Sequence, residues 1–309
     1  MSPPMPADLA SRDERIVIHD RSGNSLPFSR GIMATSLLAT GIPTEEAYRL
    51  ASAVQLQLLE TDTSDLDAED LVAFTTAALG KIVGGTEIAE RWESWRQAKR
   101  TGRPLVIVLG GAPGVGKSTI ATRLAVRLDI TRVVTTDAIR EVLRIVVPAV
   151  VLPELHHSTF ELVIDGSVDP YAGFDRQCDA VGAAAVAVAD RLACERRSMI
   201  IEGVHIRPGA LSTALAKHPA APIVVERLIV QHRIDLHEES LRRRRFSEPL
   251  RAGRRHLDGL DRIRSIQDHL FAQADLARVP VVDIADTGEF TQDLVHEIVQ
   301  RIRPQILTP

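Results

Sequence analysis

The chain has 309 residues, 45% of them hydrophobic, with 37 Lys plus Arg against 41 Asp plus Glu and a formal net charge of -4. That length suits one large or two modest domains, and the slight acidity gives no whole-chain reason to expect nucleic acid or an anionic membrane as partner. Cys178 and Cys194 stand outside any CxxC pattern, which argues against a disulfide framework or zinc cluster and reads as two buried thiols; with no signal sequence and no apolar run of membrane length, the expectation is a cytoplasmic protein.

In chain order, residues 1–12 carry Pro3, Pro4 and Pro6 and read as a flexible tail. Ile16 to His19 and Leu26 to Phe28 suit a small hairpin across the turn formers Arg21 to Asn24. Helical patterns follow at about 31–40, 43–60 and 64–80, the second opened by Pro43 and Thr44 with Glu45 and Glu46 in its first turn. A charged helix at about 87–100 leads to Thr101-Gly102 and reads as the link between a small, mostly helical N-terminal domain over 13–100 and a second domain over 101–309. From Leu105 the grammar becomes strand and helix in alternation. Strands are expected at 105–110, 132–136, 198–203, 225–231 and 280–284, and helices near 117–128, 137–146, 174–196, 208–217, 235–245, 258–277 and 289–302. Single crossovers of this kind make an α/β fold: a parallel sheet with helices on both faces and ligands at the carboxyl ends of its strands.

The first of these strands runs into the GxxxxGK[ST] pattern of a phosphate-binding P-loop, LVIVLGGAPGVGKST. Gly111, Gly114 and Gly116, with Ala112, Pro113 and Val115 between them, allow successive N–H groups to turn inward on a phosphate, and Thr119 closes the motif. Lys117 is one of only four lysines and can reach the β- and γ-phosphates of ATP, while the Ser118 hydroxyl can ligate Mg²⁺. The second strand ends at Asp137, which can orient an acceptor hydroxyl or a magnesium water, with Arg140 one turn on to grip an anionic acceptor. A plain helix cap suits Asp137 as well.

The third strand carries Glu202, a candidate magnesium-organising acid, followed by His205 and Arg207 as acceptor contacts; a satisfied turn histidine suits His205 equally well. Between the second and third strands, Pro153 to Phe160 and Tyr171 to Gln177 form an insertion too long for a tight loop, a candidate acceptor cover with His156 and Ser158 as contacts. Residues 232–264 hold ten arginines but only one aromatic, Phe246, and read as a mobile lid that closes over ATP, with some of the arginines on a solvated charged face; Arg243 is the candidate for transition-state charge.

Taken together, GGAPGVGKST, TTDAIREVLR, LHHSTF, GFDRQ, IIEGVHIRPG and DRIRSIQDHLFAQAD resemble the 2-phosphoglycerate kinase family in that order, over nearly the whole chain. The resemblance implies a P-loop NTPase domain of the nucleoside-kinase kind behind an ATP-cone-like domain, which VIHDRSGNSLPFSRGIMATSLLATGIP resembles. It also implies ATP-dependent phosphorylation of 2-phosphoglycerate to 2,3-bisphosphoglycerate, with cationic contacts for a doubly anionic acceptor. Another phosphorylated polyol or acid, and a regulatory P-loop ATPase, stay open as alternatives, as does a homo-oligomer. The cone-like segment has no phosphate motif of its own; a regulatory nucleotide site and a packing and dimerisation module both stay open, with the latter favoured because its only strong cation near a turn is Arg30.

Overall fold

The computed structural model describes residues 16–19, 24–60, 65–81, 84–247, 257–284 and 293–300, with backbone only at 244–247. The chain forms two compact units, one from Met1–Arg100 with Gln292–Pro309 and the other from Thr101–Thr291.

In the first unit, β1 (Val17–His19) pairs antiparallel with β2 (Ser25–Pro27) in the expected hairpin, whose turn at 20–23 lies outside the described residues. Helices α1 (Arg30–Leu38) and α2 (Thr44–Glu60) follow, the first capped by Ser29, whose side chain accepts the Ile32 N–H. The helix expected at 64–80 begins later. Its first residues form a third strand, β3 (Asp65–Asp67), parallel to β1, with Leu66 buried between two exposed acids and Asp65 bonded to His19. A three-residue strand with one apolar side chain is below what periodicity can reveal. α3 (Ala68–Leu79) and α4 (Gly85–Arg100) complete the core, in which Trp92 is buried and donates its ring N–H to Ser36 Oγ at 3.1 Å. A helix at 293–300 also belongs to this unit, whereas the sequence placed it in the second: Leu294, Val295, Ile298 and Val299 are buried, and Arg91 Nη1 meets His296 Nδ1 at 3.0 Å.

The second unit is the expected α/β layer. Its elements in order are β4 (Leu105–Gly110), α5 (Lys117–Leu128), β5 (Val133–Thr135), α6 (Thr136–Val146), two 3₁₀ turns (Pro153–His156 and Thr159–Leu162), α7 (Ala172–Cys194), β6 (Met199–Gly203), α8 (Ala210–Leu215), β7 (Ile223–Val230), α9 (Ile234–Ser247), α10 (Leu260–Ala277) and β8 (Val281–Asp283). The strands make one parallel sheet in the order β5-β6-β4-β7-β8. Every strand pair is parallel, so each connection must cross over, and the reversal of direction at β4 sends α5 to one face and the later helices to the other. Val106 and Val108 pack on one face with Ala189 of α7 and Leu211 and Leu215 of α8. Ile107 and Leu109 alternate to the opposite face, and α5 buries Ile120 and Leu124 where it packs on β4, β5 and β6. The central strand thus delivers its carboxyl end to the reversal point, where ligands bind in such sheets.

Candidate active site

β4 ends at Gly110, and the chain turns through the glycine-rich loop into α5, which starts at Lys117. At Gly114 φ is +85°, and a Cβ would lie 2.5 Å from Leu241 Cδ2, so this point of the loop has both a backbone angle and a neighbour that demand glycine. Lys117 is only 7% exposed, and its Nζ donates to the Ala112 carbonyl at 2.7 Å, which folds the ammonium back over the loop. Ser118 Oγ donates to Glu202 Oε1 at 2.9 Å. Glu202 reaches it because β6 lies beside β4 in parallel register, Leu109 opposite Glu202, and its carboxylate is buried. A hydroxyl and a carboxylate beside the glycine-rich loop form an all-oxygen donor set of the kind Mg²⁺ prefers.

The ends of β5 and β6 are locked together. Gly203 has φ +153°, and Thr136 Oγ1 occupies the space a Cβ would need, so the backbone of β6 accepts the first residue of α6 directly. Thr135, not Asp137, caps that helix, its Oγ1 accepting the Ala138 N–H at 3.1 Å. Asp137 is thereby released from the capping role the sequence also allowed, and its side chain is 47% exposed, with Oδ1 3.9 Å from His205 Nδ1.

Of the two roles the sequence allowed His205, the structure holds it as a satisfied histidine. Its ring is fully buried, with Nδ1 2.9 Å from Thr136 Oγ1 and Nε2 3.1 Å from Gln177 Oε1. Gln177 Nε2 already donates to the carbonyls of Glu154 at 2.5 Å and His157 at 3.1 Å, so its oxygen must accept from His205. The proton therefore sits on Nε2, and Nδ1 accepts from Thr136. Burial pushes the imidazole pKa down to about 4, with Asp137 opposing and Arg140 and Lys117 adding to the fall. His205 is a neutral brace with both nitrogens occupied.

Arg140 also braces. Its Nη1 donates to the carbonyls of Leu155 at 3.2 Å and His157 at 2.8 Å, and its Nη2 pairs with Glu141 at 2.9 Å, leaving the side chain 18% exposed. The same short turn is thus held by four donations to carbonyls from Gln177 and Arg140. His156 Nε2 donates to the Val147 carbonyl at 3.0 Å, and Ser158 forms a reciprocal capping box with Glu161 at the start of the second 3₁₀ turn. These two side chains shape the insertion rather than standing free as contacts. Arg207 is one-third exposed and pairs with Asp175 at 3.2 Å and Asp179 at 3.0 Å.

The arginine-rich segment departs most from expectation. Arg243 is 76% exposed and pairs with Glu239 one turn back on α9, and Arg242 pairs likewise with Glu238, so both lie on a solvated face and away from the loop. Arg244 and Arg245, and the rest of the expected lid at 248–256, lie outside the described side chains. What α9 turns toward the glycine-rich loop is His237, Ser240 and Leu241, none of them singled out by the sequence. Cys194 also departs: it is exposed, whereas Cys178 is buried as expected. Cys194 lies with Asp190 and His218 at ligand-like spacing, but His218 Nδ1 accepts the Ala220 N–H at 3.0 Å, which leaves the proton on Nε2 facing the other two. That is a hydrogen-bonded trio rather than a metal site.

A parallel sheet with a glycine-rich turn at the end of its central strand, a lysine opening the next helix and a serine bonded to the neighbouring strand's carboxylate define the class: a P-loop NTPase. No family model matches the chain. Among curated proteins it is 37% identical to 2-phosphoglycerate kinase of Pyrococcus horikoshii over 284 residues, 90% of this chain and 91% of that one. It is 34% identical to the enzyme of that name from Pyrococcus furiosus over 293 residues, 93% and 94% of the two chains. Of solved structures, shikimate kinase from Acinetobacter baumannii overlaps 68% of this chain and 99% of its own, at 16% identity and a TM-score of 0.39, too loose a likeness to carry an argument. The chain belongs to the 2-phosphoglycerate kinase family and is an ATP-dependent phosphotransferase. Among the described residues, no helix is long and apolar enough to cross a membrane.

Proposed function

We propose that the protein transfers the γ-phosphoryl group of ATP to the free hydroxyl of 2-phosphoglycerate, giving 2,3-bisphosphoglycerate and ADP. Two observations support this reading: the family membership, and the meeting of Lys117, the Ser118–Glu202 pair and the exposed carboxylate of Asp137 at the ends of three adjacent strands. In this reading Lys117 leaves the Ala112 carbonyl for the β- and γ-phosphate oxygens, and loop N–H groups hold the same anion. The acceptor oxygen bonds to the γ-phosphorus as the bond to the β-γ bridging oxygen breaks, and the hydroxyl proton passes to Asp137. Ser118 and Glu202 would hold Mg²⁺, with Asp137 a further oxygen group on the same side, and the ion would offset charge on the phosphates.

The acceptor brings a phosphate and a carboxylate, which require cations. Arg140 lies on the same face of α6 as Asp137, three residues on, and Arg207 follows β6; both supply positive charge to that side. Arg243 has no place in this scheme as the structure holds it. The first unit, ATP-cone-like in sequence, serves as a packing module. The test is ATP turnover with and without added phosphoglycerates, followed by product mass. Strict dependence on 2-phosphoglycerate with a single added phosphoryl group is expected. Equal turnover without acceptor would establish an ATPase, and dependence on a different phosphorylated acid would replace the substrate while keeping the class.

A further inference from the structure

The glycine-rich loop is held from outside by α9. His237 Nε2 bonds to the Pro113 carbonyl at 2.7 Å, and Ser240 Oγ donates to the Gly114 carbonyl at 2.6 Å. A carbonyl can only accept, so His237 carries its proton on Nε2; burial holds this imidazole below its ordinary pKa and keeps it neutral. Leu241, fully buried, closes the contact by seating against Gly114.

These bonds have a geometric consequence. A trans peptide is planar, with its C=O and the following N–H pointing in opposite directions. Fixing the Pro113 carbonyl toward His237 fixes the Gly114 N–H away from it, and fixing the Gly114 carbonyl toward Ser240 does the same for the Val115 N–H. Because Pro113 has no N–H, these are the first two donors the loop offers after Ala112. Glycine at 114 makes both peptides easy to rotate, so something else must hold them.

We propose that His237 and Ser240 are positioning residues for phosphoryl transfer: from α9 they aim the Gly114 and Val115 N–H groups into the phosphate cradle. They act through the loop backbone and touch no substrate. The proposal rests on the reading of the loop as the ATP phosphate site, and Lys117→Ala separates the two, since only failure of that reading would leave this variant active.

The experiment compares Ser240→Ala, His237→Leu and His237→Gln with the wild type for the KM of ATP, the KM of acceptor, kcat and melting temperature. Gln places a side-chain N–H at a reach similar to Nε2 of histidine. Ser240→Ala and His237→Leu should each raise the ATP KM about three- to tenfold, the cost of losing one aligned donor, and lower kcat, while the acceptor KM stays within twofold. His237→Gln should restore most of the ATP affinity. An unchanged ATP KM in Ser240→Ala overturns the proposal. So does an equal rise in both KM values, or a loss in His237→Leu that Gln does not restore, because each marks a general packing defect. Ser240 is only partly buried, so its variant carries the test even if His237→Leu fails to fold.

Discussion

The two sides of the site keep their shape in different ways. On the proposed nucleotide side the candidate groups are largely backbone groups of one ten-residue stretch, Gly110 to Thr119, which α9 bonds at Pro113 and Gly114. On the acceptor side the framework is a chain of side chains: Thr136 to His205 to Gln177 and on to the Glu154 and His157 carbonyls, with Arg140 gripping the same turn. A backbone cradle tolerates changes in most side chains and fails when a glycine or the lysine changes. A side-chain chain is only as sound as its weakest buried member, since each polar atom left without its partner costs about 1–3 kcal/mol.

The sharpest break of this contrast is Lys117→Ala, which removes the one indispensable side chain of the nucleotide side. It should lower kcat on the order of a thousandfold with the melting temperature little changed; a kcat within threefold of wild type would remove the loop from the reaction.

Next comes an effect confined to the acceptor side, the titration of His205. Its folded pKa of about 4 lies below its ordinary 6.5, so the unfolded chain takes up the proton first. The contribution is complete above about pH 6.5 and drains away as pH falls to about 4, by up to about 3 kcal/mol, and then levels off. Urea unfolding at several pH values checks this: His205→Gln should flatten that part of the profile, and an unaltered slope would refute the assignment.

Asp137→Asn should lower kcat about a hundredfold while the ATP KM stays within threefold, because Thr135 already caps the helix and the loss is chemical. A variant that lost mainly melting temperature would count against the role. The smallest effect is expected from Arg140→Ala, which should raise the acceptor KM roughly tenfold and leave the ATP KM alone, since its partners all lie on the acceptor side. A matching rise in both constants would show that the two sides are one mechanical unit.

The same contrast explains what could be read from the sequence. The loop is legible because its spacing is local: a buried strand, three glycines, a lysine and a serine within fifteen residues. All five strands of the large sheet fall within two residues of their expected bounds, for the same reason. Asp137, Arg140 and His205 were singled out by their positions after strand ends, but apart from Glu141 beside Arg140 the partners that fix them lie 15 to 69 residues away, and nothing in spacing joins His205 to Thr136 or Arg140 to a carbonyl. That is why the sequence leaves His205 open between a contact and a satisfied histidine, and only the structure shows it as a brace. The arginines of α9 misled in the opposite way. Their density suggested inward charge, yet glutamates four residues earlier claim two of them, and the inward face is written in three unremarkable residues, His237, Ser240 and Leu241. The third strand of the first unit and the return of the 293–300 helix to that unit depend on long-range pairing, which a pass along the chain cannot supply.

β5 is a three-residue strand on the rim of the sheet, while β4 is covered on both sides by β6 and β7. Opening of a native protein proceeds in cooperative pieces, and the pieces with few ladder bonds open first. Amide protons in β5 and the first turn of α6 should therefore exchange with deuterium well before those of β4. The enzyme would then visit states in which Asp137 has swung off the sheet while the central strand and its loop stay intact. A protease or a rise in temperature that works through such states would strip the molecule of its choice of acceptor before its grip on nucleotide.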